Sequence, residues 1–488
     1  MRRRSTKSSL FEFIFKAKRA SAKTFYSEVL EKTKLAFESA PDIVYRKVNI
    51  IRKTDACFIY LQDIIDVDIL QRDFIMPIIS GKYSDEPEGG PLKNVPVSNL
   101  KVNTDIDSIV EDIVKGNAVF ISENMDYSLS YFVRRQIERN IEEPATEKNL
   151  KSSHEGFVES IHTNIGIVRM KISNSNLKFK QLTVGDISNQ AVYVAYLKGV
   201  ANENSLTELI RRLELIKTDN VSTIGYIESR VSQFPNSPFL QSQATERPDK
   251  VVAALIEGRL AVLLDGVPNV MIVPISFSSL FQTVDDYGTK WLSSYLLRLL
   301  RYVSLLITVL LPSVYVMLTS FHYYMIPVSL ITTLADSRAK VPFPPIIEIL
   351  IMETAIEMLR EATIRLPTYI GMTIGVVGGI VIGQAAVNAG IISNLLLIIV
   401  GLTAICSSTF PSTDHALSIR YIRFPVLIFT AAFGIIGTAV CIMLIFAHLV
   451  TLDSLGEPYL KPLDVPKLKT IKQSVTRLRL RLFRSPQN

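Results

Sequence analysis

The stretch LPTYIGMTIGVVGGIVIGQAAVNAGIISNLLLIIVGLTAICSSTFPST, residues 366–413, decides the fold, because none of its 48 residues is Asp, Glu, Lys or Arg. A single helix of this length would measure about 72 Å, whereas the hydrocarbon core of a bilayer is about 30 Å thick. We therefore expect two membrane spans, 369–388 and 394–411, joined by a turn in the segment NAGIISN that starts at Asn388.

Two further uncharged runs lie on either side of this stretch. They cover 302–335, with 34 residues, and 424–452, with 29 residues. An uncharged apolar run of about 18 residues or more is typical of a transmembrane helix. These runs predict spans at 302–321 and 425–449, so that an all-α polytopic membrane domain with about four spans covers 291–452.

The number of spans determines the side on which the basic C-terminal tail lies. An even number returns the tail to the side where the chain begins, as the positive-inside tendency favours. Four spans would place Arg420 and Arg423 in a short outer loop, which that tendency disfavours. Five spans would accommodate both arginines but would place the tail outside. Four is our prediction, and five is the alternative.

The first part of the chain is of a different kind. Its longest uncharged stretch, 266–284, is interrupted by Pro268, Asn269 and Pro274. Prolines break a helix, so this stretch is not a membrane span. We predict a basic N-terminal arm at 1–44, a cytosolic α/β region at 45–290 and a basic cytosolic tail at 453–488, with both termini in the cytoplasm.

A weak internal repeat indicates how the α/β region is organised. Residues 56–61 read as a buried strand followed by a helical period through Phe74, and 190–213 repeat this pattern with Tyr196-Leu197 opposite Tyr60-Leu61. We predict two subdomains, each with a small sheet covered by helices. The alternative is that any two strand–helix pairs look alike. Residues 259–274 predict a β-hairpin, and 81–97 predict a loop.

Charge and chemical motifs argue against catalysis. The net charge of +7 comes from basic clusters at both ends, which we interpret as anchors to anionic lipid rather than as nucleic-acid sites. The three cysteines and five histidines show no metal-binding spacing, and no Gly-Lys-Ser/Thr phosphate loop or nucleophile elbow is present. We predict no enzyme activity, no cofactor, no metal and no nucleic-acid partner.

Three glutamates on one predicted helix, 346–362, are the first candidate site. Glu353, Glu357 and Glu361 are spaced by four and share a helical face. One interpretation is an amphipathic helix in the membrane interface or against a partner. The other is a ring of carboxylates around a cation pathway in an assembly of several copies. Arg360 is placed to neutralise Glu357, which would leave Glu353 as the stronger pore candidate.

A glycine ladder in the next span is the second candidate. Its members are Gly371, Gly375, Gly379 and Gly383. Small residues at this spacing allow helices in lipid to approach closely. The ladder therefore predicts either a helix-packing seam or a pore wall that needs thin, mobile helices.

Several short motifs occur in a family-specific order. They are TERPD (245–249), EGR (257–259), DGVP (265–268), VPFPP (341–345), REA (360–362), RLP (365–367), IGQAAV (382–387) and RFP (423–425). With these motifs the chain resembles the spore germination GerA family, specifically the A-type subunit of nutrient germinant receptors. The resemblance covers about 45–460, and it departs from the family pattern at LKSSHEGF (150–157). Its signature residues here include Glu246, Arg247, Pro248, Asp249, Asp265 and Gly266.

The resemblance implies a function and a set of partners. It implies a multi-pass subunit of a receptor complex in the inner membrane of an endospore, together with a transporter-like B subunit and a lipoprotein C subunit. It also implies that A subunits form a homo-oligomer, a membrane channel that releases cations when a germinant is sensed. The alternative is a non-conducting scaffold that couples a nutrient-binding partner to separate release machinery.

Overall fold

The computed structural model describes residues 22–38, 40–50, 54–79, 100–135, 155–283, 285–288 and 290–461. The predicted loop at 81–97 and most of both basic ends lie outside these ranges. The chain divides into two compact units. The first contains residues 1–148, 153–231 and 244–274, and the second contains 149–152, 232–243 and 275–488.

The first unit is an α/β structure with two five-stranded sheets. Its first half contains α1 (22–36), β1 (Ile43–Ile50), β2 (Thr54–Leu61), α2 (Val67–Leu70), α3 (Met76–Ile79), β3 (Leu100–Asn103), α4 (Ile106–Val114), β4 (Asn117–Ser122) and β5 (Ser128–Phe132). A π-helical turn, Gln71–Ile75, joins α2 to α3. Its second half contains α5 (Ile161–Lys171), β6 (Leu177–Val184), β7 (Gln190–Leu197), α6 (Glu203–Glu214), α7 (Ile224–Val231), β8 (Gln243–Thr245), α8 (Pro248–Ile256), β9 (Leu260–Leu264) and β10 (Val270–Val273).

The two sheets have the same topology. Their strand orders are β1-β2-β4-β5-β3 and β6-β7-β9-β10-β8. The strands β2 and β7 are both eight residues long and end in the predicted pairs Tyr60-Leu61 and Tyr196-Leu197. The helices that follow are capped by Asp66 and Asn202, each of which accepts a hydrogen bond from a backbone N–H of its first turn. This agreement in topology and capping supports an internal duplication.

Helices pack on the two sheets and bury their own apolar faces there. In the first half, α4 packs on β2 to β5 and buries Ile109 and Ile113 completely. In the second half, α8 packs on β7, β9 and β10. Since β9 pairs with β10 in antiparallel register, from Leu263 opposite Val270 to Leu260 opposite Val273, the predicted hairpin is confirmed.

The second unit is largely helical. Its helices are α9 (Asp285–Gly288), α10 (Trp291–Ser320), α11 (Val328–Arg338), α12 (Pro345–Ile364), α13 (Thr368–Asn388), α14 (Asn394–Ser407) and α15 (Thr413–Thr451). Two short 3₁₀ helices, Phe277–Phe281 and Tyr323–Met325, precede and follow α10. The last two strands are β11 (Asp453–Ser454) and β12 (Glu457–Pro458), an antiparallel pair. An α/β N-terminal region followed by a helical region is the predicted fold class.

Two helices among the described residues, α10 and α15, are long and apolar enough to cross a membrane, and α14 is a shorter apolar helix. Each predicted span falls on a helix, since 302–321 overlaps α10, 369–388 lies within α13, 394–411 begins with α14 and 425–449 lies within α15. Gly390, with φ of 67°, lies in the turn between α13 and α14, where the sequence predicted the turn. The topology of four spans stays a prediction.

The position predicted for Arg420 and Arg423 is wrong. Both lie inside α15 rather than in a loop, because that helix begins at Thr413. Ser412 caps its start, where the hydroxyl accepts a hydrogen bond from the backbone N–H of His415 at 3.3 Å. The regular helix is interrupted only further along, at Gly434, where φ is 59° and ψ is −137°.

Candidate functional site

Helix α12 carries the three predicted glutamates, and the structure gives each a different environment. The helix begins at Pro345 and extends two residues beyond the predicted end, to Ile364. The exposed fraction of the side chain rises from 1% at Glu353 to 28% at Glu357 and 62% at Glu361. One helical face therefore runs from the interior of the unit to its surface.

Glu353 is held by two neighbouring helices. One carboxylate oxygen lies 2.6 Å from Nη2 of Arg423 on α15, and both side chains are buried. The other oxygen accepts a hydrogen bond at 3.5 Å from the hydroxyl of Thr403 on α14. From the sequence, Glu353 was assigned no partner, and in the structure Arg423 supplies a counter-charge from 70 residues further along the chain.

Glu357 lies between three guanidinium groups. Its Oε1 is 3.1 Å from Nε of Arg420, and its Oε2 is 3.6 Å from Nη1 of Arg360 and 4.0 Å from Nη2 of Arg423. Arg360 also donates a hydrogen bond to the hydroxyl of Ser407 on α14 at 3.0 Å. We call these five charged residues, Glu353, Glu357, Arg360, Arg420 and Arg423, the charge cluster.

The charge cluster carries a net formal charge. Its three arginines and two glutamates leave one formal positive charge when all five are ionised. Glu361 lies outside it and pairs with Arg365 of the same helix at 2.6 Å, on the exposed surface. Such an exposed pair contributes little to stability.

A fourth acidic residue of α12 escaped sequence reasoning. Glu348 is completely buried; it lies 3.1 Å from Nη2 of Arg338 on α11 and accepts a hydrogen bond at 3.2 Å from the backbone N–H of Ser393, the residue that caps α14. It falls outside the spacing of four shared by the other glutamates. A search for charged residues inside or beside apolar runs, each of which needs a partner, would have found it.

The glycine ladder does not form one uniform seam. A Cβ at Gly371 would lie 2.7 Å from the backbone oxygen of Thr363, and one at Gly383 would lie 2.9 Å from Leu397 Cδ1. A Cβ at Gly375 would make an ordinary contact, at 3.5 Å from Thr363 Cγ2. At Gly379, apart from its chain neighbours and its own helix backbone, no heavy atom of the described residues lies within 4 Å of that position. Packing within the chain therefore accounts for Gly371 and Gly383 but not for Gly379.

The signature residues around Arg247 stabilise local structure in the α/β unit. Arg247 precedes α8 and forms an ion pair with Asp249, and Pro248 occupies the first turn of that helix. The backbone oxygen of Glu246 accepts a hydrogen bond from the N–H of Phe157 at 2.8 Å. These contacts position the start of α8 beside the chain that leads into α5.

Asp265 and Gly266 occupy the turn of the hairpin β9–β10. The carboxylate of Asp265 accepts a hydrogen bond from the N–H of Ile161 at 3.4 Å, and the N–H of Gly266 donates one to the oxygen of Glu159 at 2.9 Å. Gly266 has φ of 79°, a conformation that favours glycine. The turn therefore fastens the N-terminus of α5.

A second group of charges is buried in the α/β unit. Arg169 on α5 binds both carboxylate oxygens of Asp42, at 2.7 and 2.8 Å, and the backbone oxygen of Leu177 at 2.9 Å. Nearby, Nδ1 of His162 lies 3.0 Å from the carboxylate of Asp63. Burial, together with the charge of Asp42, raises the pKa of Asp63 to about 6.

Among the residues that the structure describes, no three His, Cys, Asp or Glu side chains are grouped so that they could hold a metal ion. The cysteines Cys57, Cys406 and Cys441 are buried and free. The charge cluster is therefore the candidate functional site of the helical unit.

Comparison with known proteins shows the family. The family model described as Bacillus/Clostridium GerA spore germination protein matches residues 31–487. The chain belongs to this family, and the resemblance drawn from its sequence motifs is confirmed.

Individual relatives match over most of their length. Spore germination protein KA of Bacillus subtilis strain 168 is 35% identical over 92% of this chain and 84% of its own. Spore germination protein A1 of the same strain is 38% identical over 76% of this chain and 77% of its own. The protein named uncharacterized membrane protein YfkQ, also from that strain, is 36% identical over 92% of this chain and 88% of its own.

A solved structure similar to this chain covers its N-terminal half. It is the crystal structure of the N-terminal domain of the A subunit of the Bacillus megaterium spore germinant receptor GerK3. The match has 23% sequence identity and a TM-score of 0.39, and it covers 51% of this chain and 94% of that domain.

Proposed function

We propose that this chain is the A subunit of a nutrient germinant receptor in the inner spore membrane, and that several copies assemble into a nutrient-gated, cation-conducting channel. The family match over residues 31–487 supports the role in germination. The relatives named as spore germination proteins match this chain over most of its length, and a third relative is named a membrane protein. The proposed partners are a transporter-like B subunit and a lipoprotein C subunit.

The charge cluster is the observation that carries the conducting role. Charged side chains among membrane-spanning helices are costly, with insertion scales giving about 2.5–3.5 kcal/mol for Arg or Asp at a helix centre. Such groups therefore normally mark an ion path or a moving element. Glu353 is completely enclosed and Glu357 partly exposed, and both lie beside α15, which is apolar enough to cross a membrane.

One observation favours a second function, a non-conducting scaffold that passes a signal from a nutrient-binding partner to separate release machinery. Glu353 and Glu357 each have an arginine within 3.1 Å in the same chain. A carboxylate that is already neutralised attracts a passing cation less strongly than a free one. The two functions therefore differ in whether purified protein conducts ions.

The role in germination is tested first in spores. A strain without this gene is expected to lose its response to some nutrients, and the intact gene is expected to restore it. Loss of cation release with those nutrients, while release by other nutrients stays normal, supports the receptor role. The receptor role would be contradicted if the strain responded normally to every tested nutrient that triggers germination through related receptors.

Assembly is tested at Gly379, where the described residues leave space. Gly379→Leu is expected to impair assembly or gating without unfolding the α/β unit, because the added side chain would meet a neighbouring copy. Gly383→Leu is the control, since it meets Leu397 within the chain and is expected to destabilise the monomer. Normal oligomer size and normal germination in Gly379→Leu would leave no role for Gly379 in assembly.

A further inference from the structure

The charge cluster links two helices that are far apart in sequence. Glu353 and Glu357 lie on α12, whereas Arg420 and Arg423 lie in the first part of α15. The connecting distances are 2.6 Å for Glu353–Arg423 and 3.1 Å for Glu357–Arg420. These pairs hold α12 against the first part of α15.

The hydrogen bonding of the cluster is incomplete. Four of its buried atoms have no hydrogen-bond partner among the described residues: Glu357 Oε2, Arg360 Nη1, Arg420 Nε and Arg423 Nε. Their ion-pair contacts, where they have any, lie at 3.1 Å or more. A partly satisfied buried network is costly, and one formal positive charge remains unbalanced. The cluster is therefore held chiefly by the short Glu353–Arg423 pair.

A break in α15 lies eleven residues after Arg423. Gly434 has φ of 59° and ψ of −137°, which side-chain-bearing residues rarely adopt. Thr438 donates to the oxygen of Gly434 at 3.1 Å, Thr430 donates to the oxygen of Val426 at 2.6 Å, and the two hydroxyls lie 2.7 Å apart. These hydroxyl bonds satisfy polar groups around the break, so α15 consists of two helical segments joined at Gly434.

We propose that the Glu353–Arg423 and Glu357–Arg420 pairs form a latch that holds α12 against α15 in the closed state of the helical unit. When the latch opens, α15 bends at Gly434. The segment 413–433 then moves away from α12 as one lever, while 435–451 stays in place. Opening exposes Glu353 and Glu357, the two carboxylates that the closed cluster neutralises. The latch is a regulation of the proposed channel, and its ionic readout rests on that proposed function.

A permanently structural ion pair would behave differently. Removal of one partner from a buried pair leaves an uncompensated charge and destabilises a protein, whatever its function. Single substitutions therefore do not separate a latch from a structural pair. The informative variant is Glu353→Gln/Arg423→Gln, which removes both charges and keeps polar side chains of similar reach.

The experiment measures potassium efflux from liposomes that contain the full receptor complex, without nutrient. The latch predicts that Glu353→Gln/Arg423→Gln raises basal efflux at least tenfold at unchanged protein amount. The exchanged pair Glu353→Arg/Arg423→Glu is expected to return efflux toward the wild-type level. The control is Glu361→Gln/Arg365→Gln, which removes an exposed pair of the same helix and is expected to change nothing. Where the wild-type receptor conducts with nutrient, basal efflux at the wild-type level in the correctly assembled double glutamine variant would overturn the latch.

A second measurement does not depend on conduction. Hydrogen exchange is followed on the same variants for the amides of 413–433 and 435–451. The latch predicts at least tenfold faster exchange in 413–433 alone, with 435–451 unchanged. Equal protection of both segments in wild type and variant would overturn the latch. If wild-type liposomes conduct under no condition while 413–433 loses protection, the latch stands and the channel proposal fails.

Discussion

At the scale of single residues, buried arginines organise the charges of both units. Arg169 in the α/β unit and Arg423 in the helical unit each bind a buried carboxylate, those of Asp42 and Glu353. A charge enclosed in protein needs a partner at hydrogen-bond distance, because neither water nor a distant charge replaces the lost hydration. In each case the partner lies many residues away in sequence.

Arg169→Met is expected to destabilise the α/β unit by about 3–5 kcal/mol, because it leaves the carboxylate of Asp42 buried without a counter-charge. Asp42→Asn/Arg169→Met removes both charges and is expected to cost less than the single substitution. Hydrogen exchange of the amides of β1 and β6 measures both effects. If Arg169→Met were no less stable than Asp42→Asn/Arg169→Met, the buried carboxylate of Asp42 would not need Arg169 as its counter-charge.

Asp63 gives the α/β unit a pH dependence with a defined sign. Its pKa in the folded chain is about 6, above the ordinary 3.8, so the folded state binds more protons than the unfolded state between about pH 4 and 6. The free energy of unfolding therefore falls as pH rises through this window, by up to about 3 kcal/mol from this group. Asp63→Asn is expected to gain stability relative to wild type over the same window. Stability curves that run parallel from pH 4 to 7 would contradict the assignment.

Sequence reasoning found Glu353, Glu357 and Glu361 but not their partners. Spacing along one helix shows which side chains share a face, and it correctly placed Arg360 beside Glu357. It carries no information about a partner on another helix. Glu353 was therefore assigned no partner from the sequence, although Arg423 lies 2.6 Å away in the folded chain.

At the scale of elements, α15 shows that an uncharged run predicts the presence of a helix but not its first residue. The run 424–452 predicted a span at 425–449, but the helix begins at Thr413 because capping by Ser412, not hydropathy, determines its start. Predictions for β2, β7, the hairpin β9–β10 and α12 agree with the structure, since strand alternation, turn residues and helical periodicity are local signals. The break at Gly434 has no such local signal, because glycine also occurs inside regular helices.

Gly434→Ala is expected to destabilise the helical unit by about 1–3 kcal/mol, because the backbone conformation at φ of 59° is strained for alanine. Its Cβ would also lie 3.2 Å from Cγ of Phe321. Gly379→Ala is the matched control, since that residue lies inside regular helix with open space around it, and alanine is favoured there by up to about 1 kcal/mol. Thermal unfolding in detergent compares the two variants. Equal thermal stability of Gly434→Ala and Gly379→Ala would show that the break at residue 434 does not require glycine.

At the scale of the whole molecule, the α/β unit contains the same sheet topology twice. The two sheets share one strand order, and Gly116 and Gly258 occupy equivalent positions before the third strand of the order, with φ of 88° and 89°. The sequence repeat at 56–74 and 190–213 indicated this, because buried strands retain their pattern. The positions of the remaining strands in each sheet depend on long-range pairing, which local patterns do not determine.

Both termini are predicted to lie in the cytoplasm, since basic residues at both ends favour that side and an even number of spans joins them. Reporter fusions after residue 20 and at residue 488 measure this. Both reporters are expected to report the cytoplasm. Opposite locations would indicate five spans.

Cation flux through purified protein tests the central claim most directly. The full receptor is reconstituted in liposomes loaded with potassium, and efflux is recorded before and after addition of a nutrient to which the intact spore responds. We predict low basal efflux and at least a tenfold rise with nutrient, which is lost in the assembly-defective Gly379→Leu receptor. Receptor that assembles normally and binds the nutrient, yet releases no more potassium than empty liposomes, would contradict conduction and leave the non-conducting scaffold.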